Sequence, residues 1–186
     1  MRTGRFRHWT SCLVVAVVAA LAGCADPPEP TSAPAPRPAS DDRPPTEAEQ
    51  AAERAALAAY AGYLEASREA SRDSDPFYPK LTRFLGDPLL TRVRVAIDDA
   101  RRHGAIRTGT LKSEPSVTSV SLDGRPATVE IQDCLDATGY RLVYRKDKRV
   151  VPGSAGTRHL ATATATRYPD GRWLINSGAA HEDQPC

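Results

Sequence analysis

Thr118-Ser119-Val120-Ser121-Leu122-Asp123-Gly124-Arg125-Pro126-Ala127-Thr128-Val129-Glu130-Ile131 is the stretch that decides the fold. Thr118, Val120 and Leu122 alternate with serines up to Asp123-Gly124, and Ala127, Val129 and Ile131 alternate away from it. Period-two patterning on both sides of Asp-Gly is a strong local signal for a β-hairpin. A two-residue turn would set 122 opposite 125, 120 opposite 127 and 118 opposite 129. The apolar sets then share one face, as a half-buried sheet requires.

Working outward, the same period continues. Tyr140, Leu142 and Tyr144 begin a further strand, and 146–156 reads as a polar, glycine-containing loop. Residues 158–168 alternate strictly, with Ala161, Ala163 and Ala165 on one side and Leu160, Thr162, Thr164, Thr166 and Tyr168 on the other. Either side fits a core. Pro169-Asp170-Gly171 turns the chain into a last strand through Trp173 and Ile175.

Upstream, the period is helical. Thr46 and Glu49 have capping-box spacing, and an Ala-rich run continues to about Arg72, with Leu57, Tyr60, Ala61 and Leu64 on one stripe. Asp75-Pro76 reads as a cap followed by proline at the first helical position, opening a short helix through Phe77, Leu81 and Phe84. Asp87-Pro88 repeats the signature ahead of Leu89, Val93, Ala96, Ile97 and Ala100, and Gly104 closes that helix behind Arg101, Arg102 and His103. Three helices followed by antiparallel strands is an α+β layout, with the helices on one face of a meandering sheet.

The N-terminus has a different logic. Arg2, Arg5, Arg7 and His8 precede ten apolar residues, Cys12 to Leu21, which is the pattern of a secretory signal and about half the length of a membrane-spanning helix. Leu21-Ala22-Gly23-Cys24 resembles the lipobox of bacterial lipoproteins. That resemblance implies cleavage before Cys24, a diacylglyceryl group on its thiol, and anchorage on the outer face of the cytoplasmic membrane. Residues 25–45 hold eight of the sixteen prolines and cannot bury enough apolar surface to fold, so they read as a tether. At about 3.1 Å per residue it would reach ~65 Å. The expected organisation is a signal peptide at 1–23, lipidated Cys24 with a disordered linker to 45, and one domain at 46–186.

Charge and cysteine usage fit export. The formal charge is +2, but three arginines and no acid lie in 1–23, which leaves −1 on the remainder. No basic surplus exists for nucleic acid. Apart from Cys12 and Cys24, the cysteines are Cys134 and Cys186, which in an oxidising compartment most simply form a disulfide. The alternatives are a buried thiol or a metal ligand, and neither cysteine has a second Cys or His at ligand spacing.

Ala59-Tyr60-x-x-Tyr63-Leu64, Asp133-Cys134-x-Asp136, Asp170-Gly171-Arg172-Trp173 and the terminal Pro185-Cys186 together resemble the small secreted and lipid-anchored actinobacterial proteins with a nuclear transport factor 2-like (cystatin-like cone) domain. The resemblance covers about Thr46 to Cys186. It implies a strongly curved sheet wrapped around a helix layer, with a pocket at the wide end. It is silent on activity, because the same cone serves enzymes, binding modules and dimerisation domains.

Enzymes of this fold use a carboxylate or histidine base in an apolar pocket, so the candidate pocket residues are Tyr60, Tyr63, Asp133 and His159. Asp133 shares strand parity with Val129 and Ile131 and should face inward, whereas Asp136 should face outward or cap a turn. The plain structural alternatives are a strand-end carboxylate bonding nearby amides, tyrosines that are simply core, and a structural histidine. Ser154 and Ser177 border glycines without forming a nucleophile elbow, and the four histidines show no metal spacing. Arg141, Arg145, Lys146, Lys148 and Arg149 form a basic run that suits either an anionic surface or plain solvation.

No catalytic residue, metal or cofactor is expected. The first expectation is therefore a non-enzymatic envelope module, anchored through lipid, that binds a small apolar ligand or an envelope protein, with homodimerisation through the sheet as a further option. The alternatives are a pocket enzyme of the isomerase or dehydratase type, with Asp133 as base and Tyr60 or Tyr63 as donor, and a purely structural spacer.

Overall fold

Alanine lets a helix lie close to a sheet, and the longest helix uses it that way. The computed structural model describes residues 43–186; the signal peptide, Cys24 and most of the expected tether lie outside the described residues. Helix α1 (Glu47–Asp73) begins at the expected capping box, with Thr46 and Glu49 each bonding the other's backbone N–H. Its buried stripe is Ala52, Ala56, Ala59, Tyr60, Ala66 and Ala70. Leu57 and Leu64 flank this stripe half-buried, and Ala61 is exposed. The leucine-centred stripe is thus rotated from the observed one, because the smallest side chains face the sheet and the larger ones fill the margins.

The second expected helix contracts to one turn, α2 (Leu81–Phe84). Asp75 does act locally as a cap, accepting from the backbone N–H of Phe77 at 2.9 Å, but the chain then turns rather than coils. Phe77 is 73% exposed and outside the core. Helix α3 (Leu89–Arg102) buries Leu89, Leu90 and Ile97 and ends ahead of Gly104, whose φ of +65° supplies the left-handed stop.

Seven strands follow: β1 (Ala105–Gly109), β2 (Pro115–Ser121), β3 (Thr128–Asp136), β4 (Tyr140–Tyr144), β5 (Val150–Ala155), β6 (Arg158–Arg167) and β7 (Trp173–His181). They form two antiparallel sheets rather than one meander, ordered β1-β4-β5 and β2-β3-β6-β7. After the turn at 137–139 the chain leaves β3, pairs β4 with β1, and returns through β5 to lay β6 beside β3. The segment 146–156, expected as a loop, contains β5, whose edge position tolerates Pro152 and Gly153.

The decisive hairpin forms with a longer turn. Val120 stands opposite Val129 and Ser121 opposite Thr128, a two-residue slip from the expected register. Pro126 has no N–H to give a ladder, so pairing starts beyond it. An even slip keeps every side chain on its face, which is why the apolar pattern survives. A bulge between Val117 and Ser119 then reverses parity: Val117 turns inward, and Thr118 points out and donates to the Glu130 carbonyl at 3.3 Å. Further register shifts fall at Arg141/Val143 and Thr164/Ala165.

Strand β6 resolves its ambiguity toward alanine. Ala161, Ala163 and Ala165 are buried opposite Asp133, Ile131 and Val129. The result is an α+β domain with helices packed on antiparallel sheets and a core of Tyr60, Leu81, Leu85, Val129, Ile131 and Ile175 between them. Cys134, on the outer face of β3, is bonded to Cys186 with Cα atoms 5.8 Å apart, so the C-terminus is tied to an inner strand of the larger sheet.

Candidate functional site

Where α1 and α3 face the smaller sheet and the near ends of β3 and β6, their side chains leave a cavity of about 850 Å³. Leu64 of α1, Val93 and Ile97 of α3, Leu142 of β4 and Leu135 of β3 give it apolar walls. Tyr63, Tyr140 and Tyr144 add aromatic surface, and Arg68, Asp99, Arg107 and Glu182 supply charges of both signs. The volume and the mostly apolar lining are those of a small-molecule site.

The sequence-derived candidates divide. Tyr63 and His159 line the cavity, whereas Tyr60 and Asp133 do not. Asp133 is 1% exposed and sits under α1 with both oxygens engaged. Its Oδ2 accepts from the Tyr60 hydroxyl at 3.0 Å and from Ser113 Oγ at 2.8 Å, and its Oδ1 accepts from the backbone N–H of Glu114 at 2.6 Å. Burial, with the Asp133 carboxylate beside it, pushes the Tyr60 hydroxyl far above its ordinary pKa. The would-be base and would-be donor are hydrogen-bonded to one another. Asp136 caps its turn, taking the Thr138 N–H at 3.0 Å and the Thr138 hydroxyl at 2.6 Å, and those bonds hold its carboxyl below the usual range.

His159 belongs to the cavity wall and is 4% exposed. Its Nδ1 lies 3.2 Å from the carbonyl oxygen of Thr157 and 3.1 Å from the Thr157 hydroxyl. The Thr157 carbonyl can only accept and the Thr157 hydroxyl can donate or accept, so Nδ1 has a partner in either tautomer and Nε2 is the ring's other polar atom. That Nε2 is buried and has no partner among the described residues. Ser67 Oγ, on α1 and lining the same cavity, is likewise buried without a partner. Ser67 stands one turn beyond Tyr63 as a polar break on that helix face, and nothing in a single helix marks such a serine as a wall residue. Burial raises the pKa of Tyr63 and of Tyr140; for Tyr140 a hydrogen bond with Ser71 and the nearby Arg107 partly oppose it.

Elsewhere the basic run is partly paired at the surface within the chain. Arg145 donates to Ser74 Oγ, and Arg149 pairs with Asp147 at 2.8 Å. On the outward face of the larger sheet Thr164 donates to Glu130 at 2.9 Å and Thr162 meets His181 at 3.0 Å. No group of three or more metal-ligating side chains is present among the described residues, and none of the described helices is long and apolar enough to cross a membrane.

No family model and no curated protein matches the chain. Among solved structures, the intermembrane space region of the chloroplast protein ARC6 is similar at 16% identity, over 73% of this chain and 98% of that one, with a TM-score of 0.48. A likeness at that level carries nothing about function.

Proposed function

We propose that this chain is an extracytoplasmic lipoprotein, held to the outer face of the membrane through Cys24, whose domain is a nuclear transport factor 2-like cone serving as a non-enzymatic binding module of the cell envelope. The observation that carries the reading is the cavity between α1, α3 and the smaller sheet, apolar enough and large enough for a small molecule. The three strand irregularities support the cone, because bulges bend and twist the strands that contain them. Asp133 supports the non-enzymatic side: its oxygens are taken by Tyr60, Ser113 and Glu114, which occupies it away from the role an isomerase would give it. The lipobox and the Cys134–Cys186 bond support the location.

Native mass spectrometry of the full chain, expressed in a lipoprotein-processing bacterium and recovered from its membranes, tests the reading. The expected species lacks residues 1–23, carries acyl chains on Cys24, and releases a small additional mass on denaturation. An unacylated chain would remove the anchor. A processed chain that neither releases a mass nor takes up a hydrophobic probe would remove the binding role.

A further inference from the structure

The hairpin between β4 and β5 carries more positive charge than the acids around it take up. Tyr144 N–H to the Arg149 carbonyl at 2.9 Å and Lys148 N–H to the Tyr144 carbonyl at 2.8 Å close it. Arg145 braces it against both long helices. Its N–H bonds the Gly104 carbonyl at 2.8 Å just behind α3, and its guanidinium bonds Ser74 Oγ at the end of α1. The acids gathered there are occupied. Asp73 lies 3.5 Å from Arg72, Asp98 pairs with Arg101 and Arg102, and Asp147 pairs with Arg149 at 2.8 Å. Asp75 caps Phe77, and Asp99 faces His103 at 3.6 Å. Arg145 is left with a serine, and Lys146 and Lys148 have no ion-pair partner among the described residues. All three are exposed, and beside them Val150 is 44% exposed. Lys148 is also held at φ +60°, a strained position for lysine, with no side-chain bond among the described residues to offset it.

We propose that this hairpin is the face the domain lays on a bilayer with anionic headgroups, Arg145, Lys146 and Lys148 meeting phosphates and Val150 reaching the headgroup boundary. The assignment rests on the membrane location proposed above. Each lysine or arginine at such a surface strengthens partition about fivefold, and the attraction fades within a Debye length. A lipid anchor makes the encounter intramolecular, so a few free cations suffice. Reach is no obstacle: the 27 residues of α1 set Thr46 about 40 Å from Ser74, less than the ~65 Å available to residues 25–45 at full extension. An exposed apolar side chain among the cations suits a bilayer better than a dissolved anionic polymer, which gives it nothing to enter.

The lysines make the test internal. Lys80, Lys112, Lys146 and Lys148 are the only ones in the chain. Lys112 is 80% exposed and lies beyond Gly109, at the end of β1 away from the hairpin. The full chain, processed in a lipoprotein-producing bacterium, would be reconstituted into vesicles of phosphatidylcholine alone or mixed with phosphatidylglycerol. Acetylation by N-hydroxysuccinimidyl acetate would be read at each lysine by mass spectrometry. Lys146 and Lys148 should react about fivefold more slowly on the anionic vesicles, Lys112 should react equally on both, and high salt should erase the difference. Lys148→Asn, which suits the left-handed backbone, should cut the protection of Lys146 to about twofold.

Equal rates for Lys146 and Lys148 on the two kinds of vesicle would overturn the assignment and leave the anchor intact. Slowing of Lys112 to the same extent would overturn it too. Equal protection by soluble poly-L-glutamate on neutral vesicles would replace the bilayer with an anionic polymer. If the asparagine variant does not fold, the wild-type contrast decides alone. A chain that enters neither vesicle has no acyl anchor, which would remove the location and this face together.

Discussion

The Tyr60 hydroxyl donates to Asp133 Oδ2 at 3.0 Å across 73 residues of chain, bolting α1 to β3 inside the core. Tyr60 is 3% exposed and Asp133 1%, so neither can turn to water if the other is lost. With Ser113 and the Glu114 amide, three donors converge on one buried carboxylate. Asp133→Ala orphans the buried Tyr60 hydroxyl and takes the acceptor from the other two, and should cost about 3 kcal/mol, whereas Tyr60→Phe, which removes one donor, should cost about 1–2 kcal/mol. In the Asp133→Ala background, Tyr60→Phe should cost much less. Urea midpoints of the four proteins, at unchanged m, measure this cycle. Additive losses would mean that the two residues do not act through one bond.

The buried phenols also predict an alkaline limit. Tyr60, Tyr63 and Tyr140 all have pKa values raised in the fold, with desolvation the first cause for each. In the unfolded chain they ionise near pH 10. Above that pH the unfolded state binds fewer protons than the native state, so stability falls as pH rises. The contribution is complete below about pH 10 and is lost above it. Urea midpoints taken from pH 8 to pH 11 should decline beyond 10, and Tyr60→Phe should flatten the decline. A midpoint that holds to pH 11 would mean that these hydroxyls are less enclosed than their positions indicate.

Much of the fold is legible in the sequence because period and punctuation agree. Thr46 with Glu49 marks a helix start, Gly104 a helix stop, and the alternation through Val129 and Ile131 a buried strand face. What misleads is residue size. Leu57 and Leu64 look like the helix core, yet close approach to a sheet is made by alanines, and a hydrophobicity stripe does not weigh contact distance. Pro126 moves the register by two and keeps each side chain on its face, whereas the bulge beside Thr118 reverses parity beyond it; both are single-residue events that the alternation itself does not announce. Strand β5 is hidden because an edge strand needs little apolar content to pair.

The site is legible only in part. Parity alone brings Asp133 inward and sets His159 on the alanine side of β6, but which side of β6 is buried is decided only by the packing. Parity cannot say that Asp133 meets Tyr60 rather than a ligand, because that depends on how α1 is rotated over the sheet. Nor can it reveal Ser67, whose hydroxyl is buried without a partner among the described residues. An orphaned wall atom of that kind is defined only once three elements have packed.

The disulfide should make a large contribution to stability. Cys134 and Cys186 are 52 residues apart, and in the chain-entropy model closing a loop of that length contributes roughly 4 kcal/mol. The bond also holds a tail that otherwise depends on few contacts, among them Leu160 N–H to the Gln184 carbonyl at 2.8 Å and Arg158 to the Cys186 carbonyl at 3.0 Å. Cys134→Ser, Cys186→Ser and the double variant should each lower the urea midpoint by the same amount. Reductant should lower the wild-type midpoint to theirs and leave the variants unchanged. Insensitivity of the wild type to reductant would show that the bond contributes little to global unfolding.

Two glycines with positive φ make a matched test of what fixes the smaller sheet. Gly109 ends β1 at φ +104° opposite Tyr140, and a Cβ there would lie 1.9 Å from the Gly139 carbonyl oxygen. Gly153, in β5 at φ +75°, has nothing within 4 Å of the same atom among the described residues. Both positions penalise a side chain through backbone conformation, by about 1–2 kcal/mol. Only Gly109 adds a collision with backbone that cannot swing aside. Gly153→Ala should therefore lose about 1 kcal/mol, whereas Gly109→Ala should lose at least about twice that. Equal stability losses in the two variants would mean that the Gly139 carbonyl yields and that the β1–β4 end is softer than its pairing indicates.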